Sequence, residues 1–240
     1  MLQSLAKDLV LWSISKGMGL PQPPLDRISE LTFLKELLRL LQIECVLDVG
    51  ANRGQFAGEL RKIGYEGQII SFEPVSTEFR ALSERFAQDP RWKGLQLALG
   101  SQDGSGKLVI PELTVMSSLL QPLGGEKNVR EETVQIRRLD GLLPSLLADA
   151  GTRRLFLKMD TQGFDLEVFR GASGCIELIQ GIQSELSVRP LYERMPHYLE
   201  ALGAYEAAGF ELYNLSVVNR TSSGGLLELN CFMRRESAVR

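Results

Sequence analysis

The sequence predicts an α/β fold in which helices cover both faces of a mainly parallel, seven-stranded sheet. Three observations favour this fold class. From Cys45 onward, short apolar segments typical of buried strands alternate with segments of helical periodicity. A glycine-rich loop follows the first strand segment, as in doubly wound sheets. The last two strand segments are joined only by the short polar link 216–225, which has no room for a crossover helix, so we expect an antiparallel hairpin there.

The predicted strands and helices follow one another in a regular order. The strand segments are Cys45–Val49, Gln68–Phe72, Gly94–Leu99, Arg154–Met159, Gly181–Ser187, Phe210–Leu215 and Leu226–Arg234. The helices between them are Gly54–Lys62, Ser76–Phe86, Leu142–Ala150, Asp165–Gly171 and Tyr198–Ala208. A small β insert, at about 101–140, holds the strand-like segments Lys107–Ile110 and Thr133–Arg138 between the third and fourth strands. We expect this insert near the carboxyl ends of the strands, where doubly wound sheets bind ligands.

Two further helices are predicted before the sheet. Met1–Leu20 has the spacing of an amphipathic helix, the prolines within 21–24 should end it, and Asp26–Gln42 repeats the helical spacing. We therefore expect an N-terminal helical extension at 1–42 and a main domain at 43–240. The first helix is expected to pack on the domain or on a second copy, so that the N-terminal helices could pair a homodimer. Association with a membrane surface is the alternative.

The composition argues against several kinds of partner. With 240 residues and a net charge of −3, the chain lacks the basic excess of nucleic-acid-binding proteins. It contains no apolar run of the ~18 residues that a transmembrane helix needs. The cysteines Cys45, Cys175 and Cys231 are far apart in apolar segments and form no CxxC pair. We expect free, buried thiols, no zinc site and a cytoplasmic location.

The loop between Asp48 and Gly54 predicts a cofactor site. Loops of the form Gly-x-Gly-x-x-Gly bring a helix N-terminus against the pyrophosphate of a dinucleotide. Here Asp48 stands where the first glycine would be, and its carboxylate would repel a pyrophosphate but attract an ammonium group. Glu73, after the second strand, can accept hydrogen bonds from both hydroxyl groups of a ribose. Charge therefore favours S-adenosyl-L-methionine as the cofactor, and an NAD-binding oxidoreductase is the alternative.

Charged residues also gather at the ends of the fourth and fifth predicted strands. Lys158 and Asp160 share one face of their strand because side chains alternate along it, and Glu185 reaches the same edge from the next strand. Like charges in a cleft raise each other's proton affinity, which is typical of active sites. The structural alternative is that Asp160 caps the following helix and that Glu185 pairs with Arg189.

Six segments together resemble the FkbM family of S-adenosylmethionine-dependent methyltransferases. They are Val46–Phe56, Ser71–Pro74, Ala98–Gly100, Leu139–Asp140, Lys158–Asp165 and Glu185–Tyr192. The resemblance runs from about Leu40 to Arg235. It implies a Rossmann-like class I methyltransferase sheet, mainly parallel with an antiparallel C-terminal strand. It also implies O-methylation of a hydroxyl on a small molecule, sugar, glycolipid or polyketide.

The same resemblance assigns the cofactor residues. Those that match the family's motifs are Asp48, Gly50, Ala51, Asn52, Gly54, Phe56, Glu73, Pro74, Ala98 and Leu99. Two positions depart from the family's pattern. Gln162 replaces the usual glutamate of Lys-Ile-Asp-x-Glu-Gly, and Asn230 replaces a usual aspartate near the start of the last strand. A neutral Gln162 lowers the negative charge available to a metal ion.

An alcohol that accepts a methyl group must lose a proton, so a positioned base is expected. The catalytic candidates are Asp160, Glu185 and His197. Asp160 is the first choice because its strand tip should face the methyl group. A metal-assisted alternative would use Asp160 and Glu185 as Mg²⁺ ligands. The residues expected to bind the acceptor are Ser117, Ser118, Lys158, Arg189, Tyr192 and Arg194.

Overall fold

The fold was analysed in a computed structural model that describes residues 22–124, 129–148 and 154–235. The helix predicted at Met1–Leu20 lies outside these residues. The α-helices of the described ranges are α1 (Gln22–Leu40), α2 (Gln55–Lys62), α3 (Ser76–Arg85), α4 (Leu139–Leu146), α5 (Asp165–Arg170) and α6 (Tyr198–Ala207). The strands are β1 (Cys45–Val49), β2 (Gln68–Phe72), β3 (Trp92–Leu95), β4 (Ala98–Leu99), β5 (Gly104–Ile110), β6 (Arg130–Arg137), β7 (Leu155–Met159), β8 (Ile179–Ser187), β9 (Phe210–Arg220) and β10 (Leu226–Arg235).

The main sheet confirms the predicted fold class. Its seven strands lie in the order β3-β2-β1-β7-β8-β10-β9. Strands β3, β2, β1, β7 and β8 pair in parallel, whereas β10 is antiparallel to both β8 and β9. The predicted C-terminal hairpin is therefore present. The order of the central strands brings the carboxyl ends of β1, β2, β7 and β8 to one edge of the sheet, where doubly wound sheets bind ligands.

Alternating side chains divide the core between the two faces of the sheet. On one face, Val46, Phe156 and Phe232 pack with leucines of α1 and with Phe56 of α2. On the other face, residues such as Leu47, Leu157 and Cys231 pack with α4, α5 and α6.

All three cysteines are free and buried, as predicted. None of the helices within 22–124, 129–148 and 154–235 is long and apolar enough to cross a bilayer.

Two predicted boundaries in the first half of the chain are wrong. Helix α1 begins at Gln22, because proline is tolerated in the first turn, where its missing N–H leaves no intrahelical hydrogen bond unmade. The predicted strand Gly94–Leu99 is divided. The N–H of Leu97 donates to the carbonyl of Leu95 (3.1 Å), and this tight turn separates β3 in the main sheet from β4.

The insert strands β5 and β6 form a second, three-stranded sheet with β4, in the order β4-β6-β5. Its apolar side chains Leu108 and Val134 form a small cluster with Val75, the residue before α3. The helix predicted at Leu142–Ala150 begins earlier, at Leu139, and Asp140 lies in its first turn, where a negative charge is favourable. The domain boundary near residue 42 stays a prediction, although α1 packs directly on the sheet.

Candidate active site

Polar residues cross the sheet in two neighbouring rows on the face that carries α1 and α2. In the first row, Asp48, Lys158 and Gln183 are paired in register on β1, β7 and β8. The second row lies closer to the carboxyl edge. It contains Asp160, just after β7, and Glu185 of β8, which is paired with Asn230 of β10. Parallel register therefore assembles a charged edge from residues that are far apart in sequence.

A cavity of about 310 Å³ opens at this edge of the sheet. Its walls come from the ends of the central strands, the loop after β3, the insert, α1 and the C-terminal hairpin. The polar residues lining it are Arg27, Asn52, Gln55, Glu73, Thr114, Ser117, Lys158, Asp160, Thr161, Gln183, Glu185 and Asn230. Its apolar lining includes Phe56, Phe72, Leu97, Ala98, Leu99 and Phe164. The cavity thus has the mixture of apolar walls and few polar groups that is typical of small-molecule sites.

The glycine loop after β1 is fixed by backbone contacts. Gly50 has a φ of 74°, and its N–H donates to the carbonyl of Phe72 (3.0 Å). A Cβ atom at Gly50 would lie 2.0 Å from the backbone oxygen of Asp160. Only glycine allows the loops after β1 and β7 to approach this closely. Gly54 also has a positive φ, 76°, and packs against Leu82 and Phe86 without lining the cavity.

Glu73 is held by two backbone donors at the end of β2. The N–H of Asn52 donates to Oε2 (2.7 Å), and the N–H of Val75 donates to Oε1 (2.8 Å). Burial raises the pKa of Glu73 to about 7, although the two N–H groups act in the opposite direction. Each oxygen keeps a second lone pair, so the carboxylate can still accept from a ligand. The predicted Pro74, Ala98 and Leu99 line the same part of the cavity.

Asp48 does not face the cavity, in contrast to its predicted contact with a ligand ammonium group. It is fully buried, and its Oδ1 lies 3.1 Å from Nζ of Lys158. Burial disfavours the charge on Lys158, but Asp48 and then Asp160 more than offset this and raise its pKa. The positive partner of Asp48 is therefore supplied by the protein itself. Lys158 lines the cavity, and its Nζ lies 3.5 Å from Oδ2 of Asp160; its contact with the acceptor stays a prediction.

Asp160 and Glu185 both line the cavity and share one neighbour. The side-chain NH₂ group of Gln162 donates to Oδ1 of Asp160 (3.2 Å) and to Oε2 of Glu185 (2.9 Å). Burial raises the pKa of Glu185 well above its usual value, and the charges of Asp160 and Glu228 act in the same direction. The prediction that these carboxylates come together at one strand edge agrees with this geometry.

Asp165 holds the backbone beside Asp160 and at Glu185, and sequence reasoning did not identify it as a site residue. It is buried beneath the loop after β7, and it accepts from the N–H of Thr161 (2.8 Å) and the N–H of Glu185 (3.2 Å). Ser184 Oγ donates to it as well (2.8 Å).

The structural alternative for the acidic pair is wrong on both counts. Phe164, not Asp160, is the residue before α5, and Glu185 contacts Gln162 while Arg189 is exposed.

The insert forms one wall of the cavity. Asn52 Nδ2 donates to Thr114 Oγ1 (3.3 Å), which joins the glycine loop to the short helix Thr114–Met116. Ser117 lines the cavity, and its contact with the acceptor stays a prediction. Ser118 is buried behind it, where its hydroxyl donates to the carbonyl of Gln162 (2.8 Å). Tyr192 is also buried, with its hydroxyl 2.8 Å from the carbonyl of Met116. These last two residues support the wall and do not form its surface.

Three predicted site residues lie away from the cavity. Arg189 and Arg194 are exposed on the segment after β8. His197 is exposed and occupies the N-cap of α6, where its Nδ1 accepts from the N–H of Leu199 (3.4 Å). His197 does not line the cavity, so the structure does not bring it to the acidic pair.

The wall opposite the glycine loop contains residues that sequence reasoning missed. Arg27 of α1 forms ion pairs with Glu30 and Glu59. Asn230 Nδ2 donates to Glu30 (3.1 Å) and also lines the cavity. Gln183 is 4% exposed, and its Oε1 has no hydrogen-bond partner among the described residues. The replacement at Asn230 was the only signal in the sequence that pointed to this wall.

The family model of the methyltransferase FkbM domain matches residues 48–212, more than half of the chain. The protein belongs to the FkbM methyltransferase family. Its cofactor is therefore S-adenosylmethionine, and the predicted family is confirmed. No curated protein sequence is significantly similar to the chain.

Solved methyltransferase structures share the fold of this FkbM methyltransferase. Magnesium protoporphyrin IX methyltransferase from Synechocystis PCC 6803, solved with bound S-adenosylmethionine, has a TM-score of 0.50 and 11% identity, with 94% of this chain and 89% of that chain covered. A 1,6-didemethyltoxoflavin-N1-methyltransferase from Burkholderia thailandensis has a TM-score of 0.46 and 14% identity over 98% and 88% of the two chains. The first of these likenesses establishes the fold only.

Proposed function

We propose that this enzyme transfers a methyl group from S-adenosylmethionine to a hydroxyl group of a small, neutral acceptor such as a sugar, glycolipid or polyketide. The acidic pair formed by Asp160 and Glu185 is the observation that supports O-methylation. A neutral amine can attack a methyl group before it loses a proton, whereas an alcohol is a weak nucleophile until a base takes its proton. A carboxylate pair at the cavity suits the second case.

The residues around Glu73 fit the cofactor. Glu73 would accept hydrogen bonds from the ribose hydroxyls, since each of its oxygens keeps one lone pair free. Leu97, Ala98 and Leu99 offer an apolar wall to the adenine ring. Asp48 is not assigned the ammonium-binding role first predicted for it, because Lys158 already neutralises its buried charge. When bound, S-adenosylmethionine supplies a methyl group on a positively charged sulfur.

Asp160 and Glu185 would act on the acceptor together. Because the two carboxylates are neighbours, a proton taken from the acceptor hydroxyl belongs to the pair rather than to one residue. Lys158, 3.5 Å from Asp160, stabilises its negative charge. Asp160 is 41% exposed and Glu185 is partly buried, so we assign first contact with the hydroxyl to Asp160 and proton retention to Glu185. A positioned base of this kind is typically worth about 10²–10⁴ in rate.

The opposite wall indicates a neutral, hydroxyl-bearing acceptor. Gln183 and Asn230 line this wall with neutral carboxamide groups. Such groups pair well with hydroxyls, which both donate and accept. The charge of Arg27 is already neutralised by Glu30 and Glu59, so among the described residues this wall offers no uncompensated cation to a phosphate or carboxylate. Ser117, on the insert, adds a hydroxyl to the same cavity.

A matched acceptor panel tests this proposal. The enzyme is incubated with ¹³C-methyl-labelled S-adenosylmethionine and pairs of compounds that differ only in a hydroxyl or an amino group, such as glucose and glucosamine, together with their phosphates. NMR then distinguishes O-methyl from N-methyl products. We expect label on oxygen and a preference for the neutral member of each phosphate pair. Transfer only to nitrogen, or a preference for the phosphates, would contradict the proposal.

The cytoplasmic location and the pairing of two copies through the N-terminal helices stay predictions.

A further inference from the structure

Gln162, which replaces the family's usual glutamate, is held rigidly between the insert and the acidic pair. It is 8% exposed and has a φ of 51°, a left-handed conformation that is unfavourable for a residue other than glycine. Its carbonyl accepts from the hydroxyl of Ser118 (2.8 Å), and its Oε1 lies 3.3 Å from the hydroxyl of Tyr192. Contacts from two separate segments therefore fix both its backbone and its carboxamide.

The orientation of the carboxamide follows from its neighbours. Carboxylate oxygens accept hydrogen bonds, so an amide that contacts two carboxylates through its nitrogen presents its NH₂ group to both. Nε2 of Gln162 does this, at 3.2 Å from Asp160 and 2.9 Å from Glu185. The two N–H bonds of one nitrogen thus join two carboxylates that would otherwise repel each other across the cavity.

A divalent cation could join two carboxylates in the same way, with hard oxygen ligands. We propose that the Gln162 carboxamide is a built-in substitute for such a bridging cation: a positioning residue that holds Asp160 and Glu185 together without a metal ion. The catalytic importance of the pair rests on the proposed function, but its geometry does not. The part of the chain that the structure describes shows no cluster of three or more His, Cys, Asp or Glu side chains suited to a metal.

One substitution should convert the arrangement of Gln162, Asp160 and Glu185 into a metal site. Gln162→Glu replaces the bridging donor with a third carboxylate at nearly unchanged volume. Three carboxylates around one point require a cation to offset their repulsion, and Mg²⁺ and Mn²⁺ prefer oxygen ligands. Gln162→Met has a similar length but neither donates to the carboxylates nor binds a hard cation, so it separates the loss of the hydrogen bonds from the gain of a site.

The experiment titrates Mn²⁺ into the full-length wild-type, Gln162→Glu, Gln162→Met and Gln135→Glu proteins, with electron paramagnetic resonance as the readout. Gln135 is exposed on β6 and controls for the added charge. We expect only Gln162→Glu to bind one Mn²⁺ below about 1 mM. That binding should disappear when Asp160→Asn is added. Bound Mn²⁺ should also raise the melting temperature of Gln162→Glu alone.

Two results would overturn the inference. One is a wild-type protein that binds one Mn²⁺ in this range and loses the site with Asp160→Asn. The other is a folded Gln162→Glu protein that does not respond to Mn²⁺. If Gln162→Glu does not fold, Gln162→Met decides with turnover on the acceptor from the panel. We expect a loss of about ten- to hundredfold that metal does not restore, and turnover within twofold of the wild type would refute the proposal. Because Mn²⁺ binding needs no acceptor, its result does not depend on whether hydroxyl transfer is correct.

Discussion

The two sides of the cavity are built in different ways. The side around Glu73 uses β1, the glycine loop and β2, which are consecutive in the chain, and backbone N–H groups hold its carboxylate. The side around Asp160 and Glu185 combines β7, β8, the insert and α1, and a side chain, Gln162, holds its carboxylates. Local backbone geometry therefore specifies one side, and long-range packing specifies the other. We expect substitutions on the first side to change cofactor binding and substitutions on the second to change turnover.

Asp160→Asn should give the largest effect on turnover, and it distinguishes a loss of turnover from a loss of cofactor binding most clearly. Loss of the carboxylate should reduce turnover by about 10²–10⁴, because asparagine cannot accept the hydroxyl proton. Affinity for S-adenosylhomocysteine, measured by calorimetry, should change far less than turnover. Glu131→Gln, an exposed acid on β6, is the control for charge and should leave both quantities unchanged. Nearly normal turnover in Asp160→Asn would remove this residue from the mechanism.

Lys158→Met tests the ion pair that lies beneath both sides. The substitution leaves Asp48 buried without its partner, so we expect a loss of about 3–5 kcal/mol in the free energy of unfolding, measured with urea. Adding Asp48→Asn should recover part of this loss, because it removes the uncompensated charge. A double variant as unstable as the sum of the two single variants would show that the pair is not coupled.

Gly50→Ala and Gly64→Ala compare two glycines of similar backbone conformation. Both have positive φ values, 74° and 88°, but a Cβ atom would meet the Asp160 carbonyl at Gly50 and open space at Gly64. We expect Gly64→Ala to cost about 1 kcal/mol from conformation alone. Gly50→Ala should cost at least about 2 kcal/mol more, because backbone overlap cannot relax easily. Equal losses in urea denaturation would mean that the contact between the loops after β1 and β7 is unimportant.

His197→Ala should give the smallest effect. Its imidazole caps α6 through a long hydrogen bond of 3.4 Å, so we expect a loss of stability of about 0.5–1 kcal/mol. Turnover should stay at the wild-type level when measured below the melting temperature. A hundredfold loss of turnover in a folded protein would return His197 to the list of bases.

The contrast between the two sides also explains what the sequence could predict. Strand β1, the glycine loop and the place of Glu73 at the end of the second strand were predicted correctly, because apolar runs and positive-φ glycines are local signals. The partner of Asp48 was predicted wrongly, because it depends on the register between β1 and β7. Arg27 and Asn230 were missed as wall residues, since their place at the cavity arises only when α1 and β10 pack on the sheet. Near His197, no local pattern distinguished a helix cap from a catalytic base.

We propose that the ionised carboxylate of Glu73 binds the ribose of the cofactor. Calorimetric titration of the wild type and Glu73→Gln with S-adenosylhomocysteine, at about pH 6 and pH 8, tests this assignment. Glu73 has its pKa raised to about 7, so its carboxylate is mostly protonated at the lower pH and mostly ionised at the higher one. The ionised form accepts the ribose hydroxyls better, so wild-type affinity should rise by up to about tenfold with pH. Glu73→Gln should bind more weakly at pH 8 and lack this rise. Equal affinity of the two proteins at pH 8, or a wild-type dissociation constant weaker than about 1 mM, would contradict the account.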